Sequence, residues 1–167
     1  MVDSESLDSI EKFVRKHHVM TLATVGSDGQ PWCAHLFYAW MADERCFVFT
    51  TGDETRHGAQ MIACPRVAAA IALETRIVGR VQGLQIEGEV KRVECNTSGE
   101  EAALAAAARR AYLRRFPYAA AMPGLELWVL SPSLMKLSDN TLGFGKKLIW
   151  QKPPITKDLV IGGLIEN

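Results

Sequence analysis

The strongest candidate for chemistry in this chain is an anion-binding junction in the segment TTGDETRHGAQM. Thr50 and Thr51 end a predicted strand, and Thr55, Arg56 and His57 begin a predicted helix shortly after it. The first turn of a helix offers unpaired backbone N–H groups and a positive dipole potential. The threonine hydroxyls, the guanidinium group and the imidazole add donors that suit a phosphate monoester. The simpler alternative, favoured by local pattern alone, is a polar residue that only caps a surface helix.

A glycine-rich stretch at residues 143–147, within SDNTLGFGKKLIW, has the composition of a phosphate loop. A nucleotide-triphosphatase loop requires the pattern G-x-x-x-x-G-K-[ST]. Asn140 stands where its first glycine is required, and Lys147 where a hydroxyl should bind magnesium, so that class is excluded. A turn with two solvated lysines explains the stretch, although inward-turned amides beside Lys146 and Lys147 could help to hold an anion.

Cys33 and His35 share one face of a predicted strand in PWCAHLFYAW. Both faces of that strand carry apolar groups, which is typical of a central or interface strand. The pair could be two metal ligands or a thiol and its base. No second pair has metal-ligand spacing, so we predict no metal site. We interpret His35 first as a packing or ligand-contact residue.

Four arginines, Arg109, Arg110, Arg114 and Arg115, crowd the last turns of another predicted helix. Cations are stabilising at a helix C-terminus, and this explanation is sufficient. The alternative is a docking patch for a phosphorylated second ligand such as a pyridine nucleotide.

The bulk composition excludes several function classes. The chain has 167 residues, 48% of them hydrophobic, and a formal net charge of zero. That length suits one domain, and a neutral chain lacks the basic face that nucleic acid requires. No apolar run reaches the roughly 18 residues of a membrane span, and the acidic start is not a secretory signal. The scattered cysteines indicate reduced thiols, so we expect a cytoplasmic protein.

The order of predicted elements indicates a mainly β fold with peripheral helices. An amphipathic helix comes first, followed by three strands with a hairpin turn at Asp28 and Gly29, and then by a short helix. Two strands follow, in RVAAAIALE and VQGLQIEGEVKRVE. A capping box at residues 98–101 opens an alanine-rich helix, and two short strands flank Pro132. We therefore expect an antiparallel β-barrel rather than a Rossmann sheet.

These segments resemble the flavin-nucleotide-binding split barrels related to pyridoxamine 5'-phosphate oxidase. The landmarks occur in the expected order: LATVGSDGQPW, FVFTTGDETRHGAQMIACPRVAAAIA, VQGLQIEGEV and an aromatic-basic C-terminal strand. Within that superfamily, WCAHLFYAW, TRHGAQM, RRFPYAAAM and DNTLGFGKKLIW are similar to the YhbP-like group. The resemblance covers about residues 5–152.

The resemblance implies a homodimer of six- or seven-stranded Greek-key split barrels that binds FMN at the dimer interface. Residues 1–152 would form the flavin-binding domain and residues 153–167 a C-terminal tail. The phosphate would bind at the threonine junction, where Thr51 and Thr55 match the family pattern T-x-x-x-S-x-K. His57 replaces the lysine of that pattern, and a neutral imidazole holds a dianion less firmly than an ammonium group.

The resemblance implies further cofactor contacts elsewhere in the chain. The glutamine of the oxidase falls at Gly83, so its neighbour Gln85 is a candidate. The turn with Phe144, Lys146 and Lys147 would close over a flavin bound mainly by the partner. Trp150 is a further candidate, but the C-terminal tryptophan–arginine arrangement that selects pyridoxal substrates is not reproduced, so pyridoxamine oxidation is not expected.

Three functions follow as hypotheses. The first is an FMN-dependent oxidoreductase that takes electrons from NAD(P)H to a small acceptor, a quinone or dioxygen, with His35 as the candidate proton donor. The second is a non-catalytic module for flavin, haem or another planar ligand. The third is a metal thiol-hydrolase that uses Cys33 and His35.

Overall fold

The computed structural model describes residues 4–94 and 98–153. The predicted tail therefore lies outside the described residues from residue 154 onward. Within the described ranges, none of the helices has both the length and the apolar character needed to cross a bilayer.

The described chain contains seven strands and three α-helices. The strands are β1 (Val19–Val25), β2 (Pro31–Met41), β3 (Cys46–Thr50), β4 (Arg66–Ala72), β5 (Gln82–Arg92), β6 (Leu127–Asp139) and β7 (Lys147–Gln151). The helices are α1 (Ser4–Lys16), α2 (Arg56–Ala63) and α3 (Glu100–Arg115). Short 3₁₀ turns cover Val78–Arg80, Pro117–Ala121 and Asn140–Leu142.

The strands form an antiparallel barrel in the order β3-β2-β1-β4-β5-β6, which a pairing between β3 and β6 closes. β7 pairs with residues 134–138 of β6 as a seventh strand, beyond the stretch of β6 that pairs with β3. After the β1-β2-β3 meander, β4 returns to lie beside β1, which is the Greek-key arrangement. The expected mainly β fold, an antiparallel Greek-key barrel of six to seven strands, is confirmed.

The barrel interior is filled by alternate side chains, because successive residues of a strand point to opposite faces. Met20, Leu22, Leu84, Ile86 and Leu130 are almost fully buried inside it. Burying an aliphatic side chain of this size stabilises the fold by about 1.5–3 kcal/mol.

Helix α1 packs its apolar stripe against the barrel core. Ile10 and Val14 are fully buried, and the hydroxyl of Tyr38 donates to the Val14 carbonyl at 2.8 Å. Burial raises the pKa of the Tyr38 phenol well above its usual range, so the hydroxyl stays a donor.

Helix α3 covers the outer surface of β2, β3 and β6 through a second apolar cluster. Ala108 and Tyr112 pack there against Ala39, Val48 and Val129. The prediction that a Ser-x-x-Glu capping box caps α3 is wrong. Gly99, with φ of 66°, is the N-cap residue of α3, and no side chain caps the helix.

The prediction of two short strands around Pro132 is also wrong, because β6 is continuous through that residue. Glu87 pairs with Leu134 and Gly88 pairs with Pro132, so Ser133 is an extra residue in a β-bulge. A bulge tolerates proline inside a sheet because the ladder is already interrupted there. A Cβ at Gly88 would lie 2.4 Å from the Ser131 carbonyl oxygen, so this bulge requires glycine opposite it.

Candidate functional site

The start of α2 is built by a tight turn that follows β3. Thr55 is the N-cap residue, and its Oγ1 accepts a hydrogen bond from the Gly58 backbone N–H at 3.0 Å. The same hydroxyl donates to the Gly52 carbonyl at 2.9 Å. A Cβ on Gly58 would lie only 2.2 Å from that carbonyl oxygen. Glycine is therefore required where the helix closes onto the turn.

Thr51 brings three of the predicted residues together at this turn. Its Oγ1 lies 3.2 Å from the Thr55 hydroxyl and 2.7 Å from Nε2 of His57. All three side chains are half-buried. Burial lowers the pKa of His57, so its imidazole is neutral near pH 7. The cluster thus offers two hydroxyls and a neutral ring that exchange hydrogen bonds with one another.

Arg56 supplies the full positive charge of the junction. Its guanidinium carbon lies 4.4 Å from the ring centre of Trp32, a cation–π contact. The side chain is exposed and makes no ion pair among the described residues. The backbone N–H groups of Arg56 and His57 stand in the first helical turn, where no intrahelical acceptor exists. Together these groups form a donor-rich surface with one positive charge at the α2 N-terminus.

Thr50 does not join this cluster. Its hydroxyl donates to the Glu126 carbonyl at 2.6 Å and so ties the end of β3 to the start of β6. Its backbone ladder partner is Leu127. The role of Thr50 in the structure is to fix the strand from which the junction departs.

An ion network beside the junction was not anticipated from the sequence. Arg92 bonds the Asp53 carboxylate and, at 3.1 Å, the Glu126 carboxylate. The Asp53 backbone N–H donates to Glu126 at 3.3 Å. Trp128 Nε1 donates to the Thr51 carbonyl at 3.2 Å. Arg92 offsets part of the negative charge of Asp53 and Glu126 beside this surface. No local sequence pattern could reveal the network, because its members come from three distant segments.

A buried hydrogen bond anchors α2 to the barrel. The Thr24 hydroxyl donates to Oε1 of Gln60 at 2.6 Å, and both side chains are buried. Thr24 follows the interior register of Met20 and Leu22 on β1. Helix α2 therefore lies over the interior side of this part of the barrel.

His35 and Gln85 lie on the exterior face of the barrel instead. The Nδ1 atom of His35 is 3.0 Å from the Thr21 hydroxyl, and this bond orients the ring. Gln85 and Thr21 line a shallow groove of about 490 Å³ with Cys33 and Ala68. His35 is on the opposite face of β2 from Trp32 and Arg56, so one chain does not bring His35 together with the junction.

The thiol–base and metal alternatives for Cys33 and His35 have no supporting contact among the described residues. The hydrogen bond of His35 is to Thr21, and none joins it to Cys33 in the described part of the chain. Within residues 4–94 and 98–153, no three His, Cys, Asp or Glu side chains are grouped closely enough for a metal ion.

The glycine-rich turn between β6 and β7 is held by Asn140. The Asn140 amide accepts from the Gly145 backbone N–H at 3.1 Å and donates to the Val78 carbonyl at 2.8 Å. Phe144 is 87% exposed, and Lys146 and Lys147 are also exposed. The turn therefore projects an aromatic ring and two cations away from its own barrel.

Trp150 has a different environment from the other predicted contacts. Its side chain is only 3% exposed and packs in the barrel core. Its Nε1 atom has no hydrogen-bond partner within the described part of the molecule. The structure thus places Trp150 away from both the junction and the exterior groove.

Comparison with known proteins gives a consistent result. Residues 6–138 match the family described as pyridoxamine 5'-phosphate oxidase. The chain is 41% identical over 149 residues to the UPF0306 protein plu4501 of Photorhabdus laumondii, covering 89% of this chain and 98% of that one. It is 39% identical over 146 residues to the UPF0306 protein YhbP of Salmonella arizonae, covering 87% and 93%.

Two solved structures share the fold. A heme binding protein from Mycobacterium smegmatis superposes with a TM-score of 0.65 at 22% identity, covering 83% of this chain and 54% of that chain. A pyridoxamine 5'-phosphate oxidase-related FMN binding protein from Nostoc punctiforme superposes with a TM-score of 0.63 at 14% identity, covering 90% and 88%. At such low sequence identities, these superpositions establish likeness of the fold alone.

Proposed function

Because this chain belongs to the pyridoxamine 5'-phosphate oxidase family, in its YhbP-like UPF0306 group, we propose that it binds FMN as an FMN-dependent oxidoreductase. The observation that carries the proposal is the cluster of Thr51, Thr55 and His57 beside Arg56 at the start of α2. A cytoplasmic location follows from the sequence grounds given above.

The phosphate of FMN would bind at this junction. The hydroxyl of Thr51 would donate to it, as would the first-turn N–H groups of α2. Thr55, whose hydroxyl proton is donated to the Gly52 carbonyl, would hold the turn that presents these donors. Arg56 would contribute a charge-assisted contact from its exposed guanidinium group. The donor set suits a phosphate monoester, because backbone N–H groups, a hydroxyl and one cation lie close together, and Arg92 bonds the neighbouring carboxylates of Asp53 and Glu126.

The neutral state of His57 limits the strength of this site. With its pKa lowered by burial, the imidazole contributes a hydrogen bond rather than a second positive charge near pH 7. The proposal therefore includes a weaker hold on FMN than a lysine at this position would give.

A homodimer would bring the separated site residues together. His35 and Gln85 lie on the exterior face, where the exposed ring of Phe37 is also found. If two barrels pack through this face, His35 and Gln85 of one chain reach a ligand held at the junction of the other. The exposed turn with Phe144, Lys146 and Lys147 would contact the same ligand from the partner side.

FMN held at the junction would supply redox chemistry between NAD(P)H as the electron donor and a small acceptor, a quinone or dioxygen. The chain's own residues would bind the phosphate and orient the ring. His35, with Nδ1 held by Thr21 at 3.0 Å, would hold a proton for the reaction at its other ring nitrogen.

A non-catalytic module for a planar ligand such as haem is the second candidate. The observation that favours it is the weakened phosphate site, together with an exposed imidazole at His35. The similar protein from Mycobacterium smegmatis is described as a heme binding protein. A neutral histidine is a suitable axial ligand for haem iron.

The visible absorption spectrum of the purified protein, repeated after adding FMN and desalting, tests the first candidate. We expect a retained two-band flavin spectrum that is lost in Arg56→Ala and strengthened in His57→Lys. Bleaching by NAD(P)H over many turnovers would support an enzyme, whereas a bound flavin inert to every donor would support a module.

The second candidate has its own signature. Haem bound through a histidine gives a Soret band that would disappear in His35→Ala or His57→Ala. A protein that retains neither FMN nor haem would contradict both candidates. His18→Ala is a suitable control, because His18 is exposed at the start of the barrel and lies outside both candidate sites.

A further inference from the structure

A second cleft, of about 410 Å³, lies between one face of α3 and the turn that joins β2 to β3. Arg110 and Arg114 form its α3 wall, with Arg15 from the end of α1 beside them. Asp43 and Glu44 form the opposite wall, at the β2–β3 turn. The floor between the walls is largely apolar and comprises Trp40, Met41, Ala107 and Ala111.

The arginines of α3 differ in whether their side chains bond to the rest of the fold. Arg115 is half-buried and donates to the carbonyls of Arg15, at 3.2 Å, and His17, so it fastens α3 to the end of α1. Arg110 and Arg114 are exposed and make no hydrogen bond or ion pair in the described part of the chain. Their like charges one helical turn apart are slightly unfavourable, which opposes the favourable placement of Arg114 in the last turn of α3.

The charges across the cleft do not neutralise one another. Neither carboxylate wall residue forms an ion pair with the α3 wall among the described residues. Arg15 has a carboxylate partner, Glu11 at 3.4 Å, outside the cleft wall. The cleft therefore holds two separated patches of opposite charge above an apolar floor, and the field between them would orient a ligand with two charged ends.

The cleft is distinct from the junction at the start of α2. The β2–β3 turn precedes β3, whereas the junction follows it. β3 has 5 residues, and at about 3.3 Å per residue its two ends lie roughly 15 Å apart. A ligand in this cleft is a second ligand and is independent of the proposed flavin function.

We propose that this cleft binds a small zwitterion, with a phosphate or carboxylate group on Arg110 and Arg114 and an ammonium group on Asp43 and Glu44. The planar guanidinium forks suit either anion. A purely anionic ligand such as a pyridine nucleotide fits less well, because the carboxylates of the β2–β3 turn repel it. The apolar floor accepts the carbon chain that joins the two charged ends.

Two pairs of probes test this assignment by NMR titration of the intact protein. Phosphoethanolamine is compared with ethyl phosphate, and γ-aminobutyrate with butyrate, so that each zwitterion has a matched anion. We expect saturable shifts at residues 41–44 and 107–114, and about five-fold tighter binding of a zwitterion than of its matched anion, since exposed charge pairs are worth little. The better of the two zwitterions identifies whether the anionic end is a phosphate or a carboxylate.

Substitutions on each wall make the test specific. Arg110→Gln with Arg114→Gln should weaken the bound zwitterion about ten-fold, whereas Arg109→Gln, an exposed arginine outside the cleft, should not. Asp43→Asn with Glu44→Gln should abolish the preference for the zwitterion and strengthen binding of the matched anion.

Three results would overturn the proposal. One is the absence of saturable shifts with both zwitterions, and another is shifts confined to residues 51–57. The third is equal binding of zwitterion and matched anion that the β2–β3 turn substitutions leave unchanged. Circular dichroism of each variant separates loss of binding from loss of folding.

Discussion

The junction at the start of α2 and the cleft beside α3 both present groups that suit an anion. In the junction, the groups are bonded to one another and to the fold: Thr55 caps α2, and Thr51 bonds both Thr55 and His57. In the cleft, the side chains of Arg110 and Arg114 make no hydrogen bond or ion pair with another described residue. The comparison shows that groups suited to an anion can be held in place by hydrogen bonds of the fold, as in the junction, or can be exposed without such contacts, as in the cleft. Substitutions at the two places are therefore expected to differ in their effect on stability.

The largest effect is expected at Gly58, where the junction and the fold are inseparable. In Gly58→Ala the new Cβ would meet the Gly52 carbonyl oxygen at 2.2 Å, so the turn must move. We expect a loss of at least ~2 kcal/mol in the free energy of unfolding, as in overpacked cores. Urea denaturation measures it. Gly79→Ala is the matched control, because its Cβ would meet nothing within 4 Å.

If Gly58→Ala were as stable as the control, the turn would not be held against α2. The contrast between an anchored junction and an unanchored cleft would then fail.

A smaller effect is expected at Arg92, which supports the junction from outside. Arg92→Gln leaves the carboxylates of Asp53 and Glu126 without their cation beside the proposed phosphate site. We expect FMN affinity to fall about ten-fold and stability to fall by no more than ~1 kcal/mol, since these groups are partly exposed. FMN fluorescence quenching measures the affinity. Lys91→Gln, which removes the exposed neighbouring pair with Glu101, should change neither.

A third, smaller effect is expected in how the free energy of unfolding depends on pH, through His57 of the junction. Burial lowers the pKa of His57 in the folded chain below its ordinary value of 6.5. The folded state then binds fewer protons than the unfolded state, so stability is full above that value and falls as pH decreases through the folded pKa. His57→Asn should flatten part of this fall in urea melts recorded at several pH values.

His17 serves as the internal comparison for this experiment, because its pKa is also lowered, chiefly by burial. His17→Asn should remove a further part of the acid dependence without affecting FMN binding. An unchanged acid profile in His57→Asn would show that burial of His57 does not disfavour the imidazolium.

The smallest effect on the free energy of unfolding is expected when the two α3 arginines of the cleft lose their charge. Arg110→Gln with Arg114→Gln should change the free energy of unfolding by less than ~0.5 kcal/mol, because the two like charges support no contact. Thermal melts followed by circular dichroism measure it. A marked destabilisation would mean that these arginines belong to the fold and would remove the contrast with the junction.

The barrel could be predicted from the sequence because its signals are local. The hairpin at Asp28 and Gly29, the alternation along β5 and the amphipathic α1 each lie within one short window. The two errors have different origins. Pro132 was expected to break a strand, but the bulge opposite Gly88 accommodates it, and this depends on a partner strand distant in sequence. At α3, Ser98 and Gly99 are adjacent and both residue types occur at N-caps, so the local pattern does not decide between them.

The site could be predicted only in part, for the same physical reason. Thr51, Thr55 and His57 are close in sequence, and the structure brings them together. Arg92 and Glu126 reach the same place from β5 and from the start of β6, and no spacing rule connects them to the junction. The positions of His35 and Gln85 on the exterior face follow from strand register, but their use depends on a second chain.

The way β6 closes the barrel has a consequence for how the protein is made. β6 pairs with β3, β5 and β7, and the pairing of Phe47 with Leu130 joins segments that are far apart along the chain. A ribosome has therefore synthesised β1 to β5 before the strand that completes the barrel emerges. Until then β3 and β5 carry free edges, which are prone to aggregate, and such long-range closure is slow. A chain truncated before residue 127 would keep those edges open permanently.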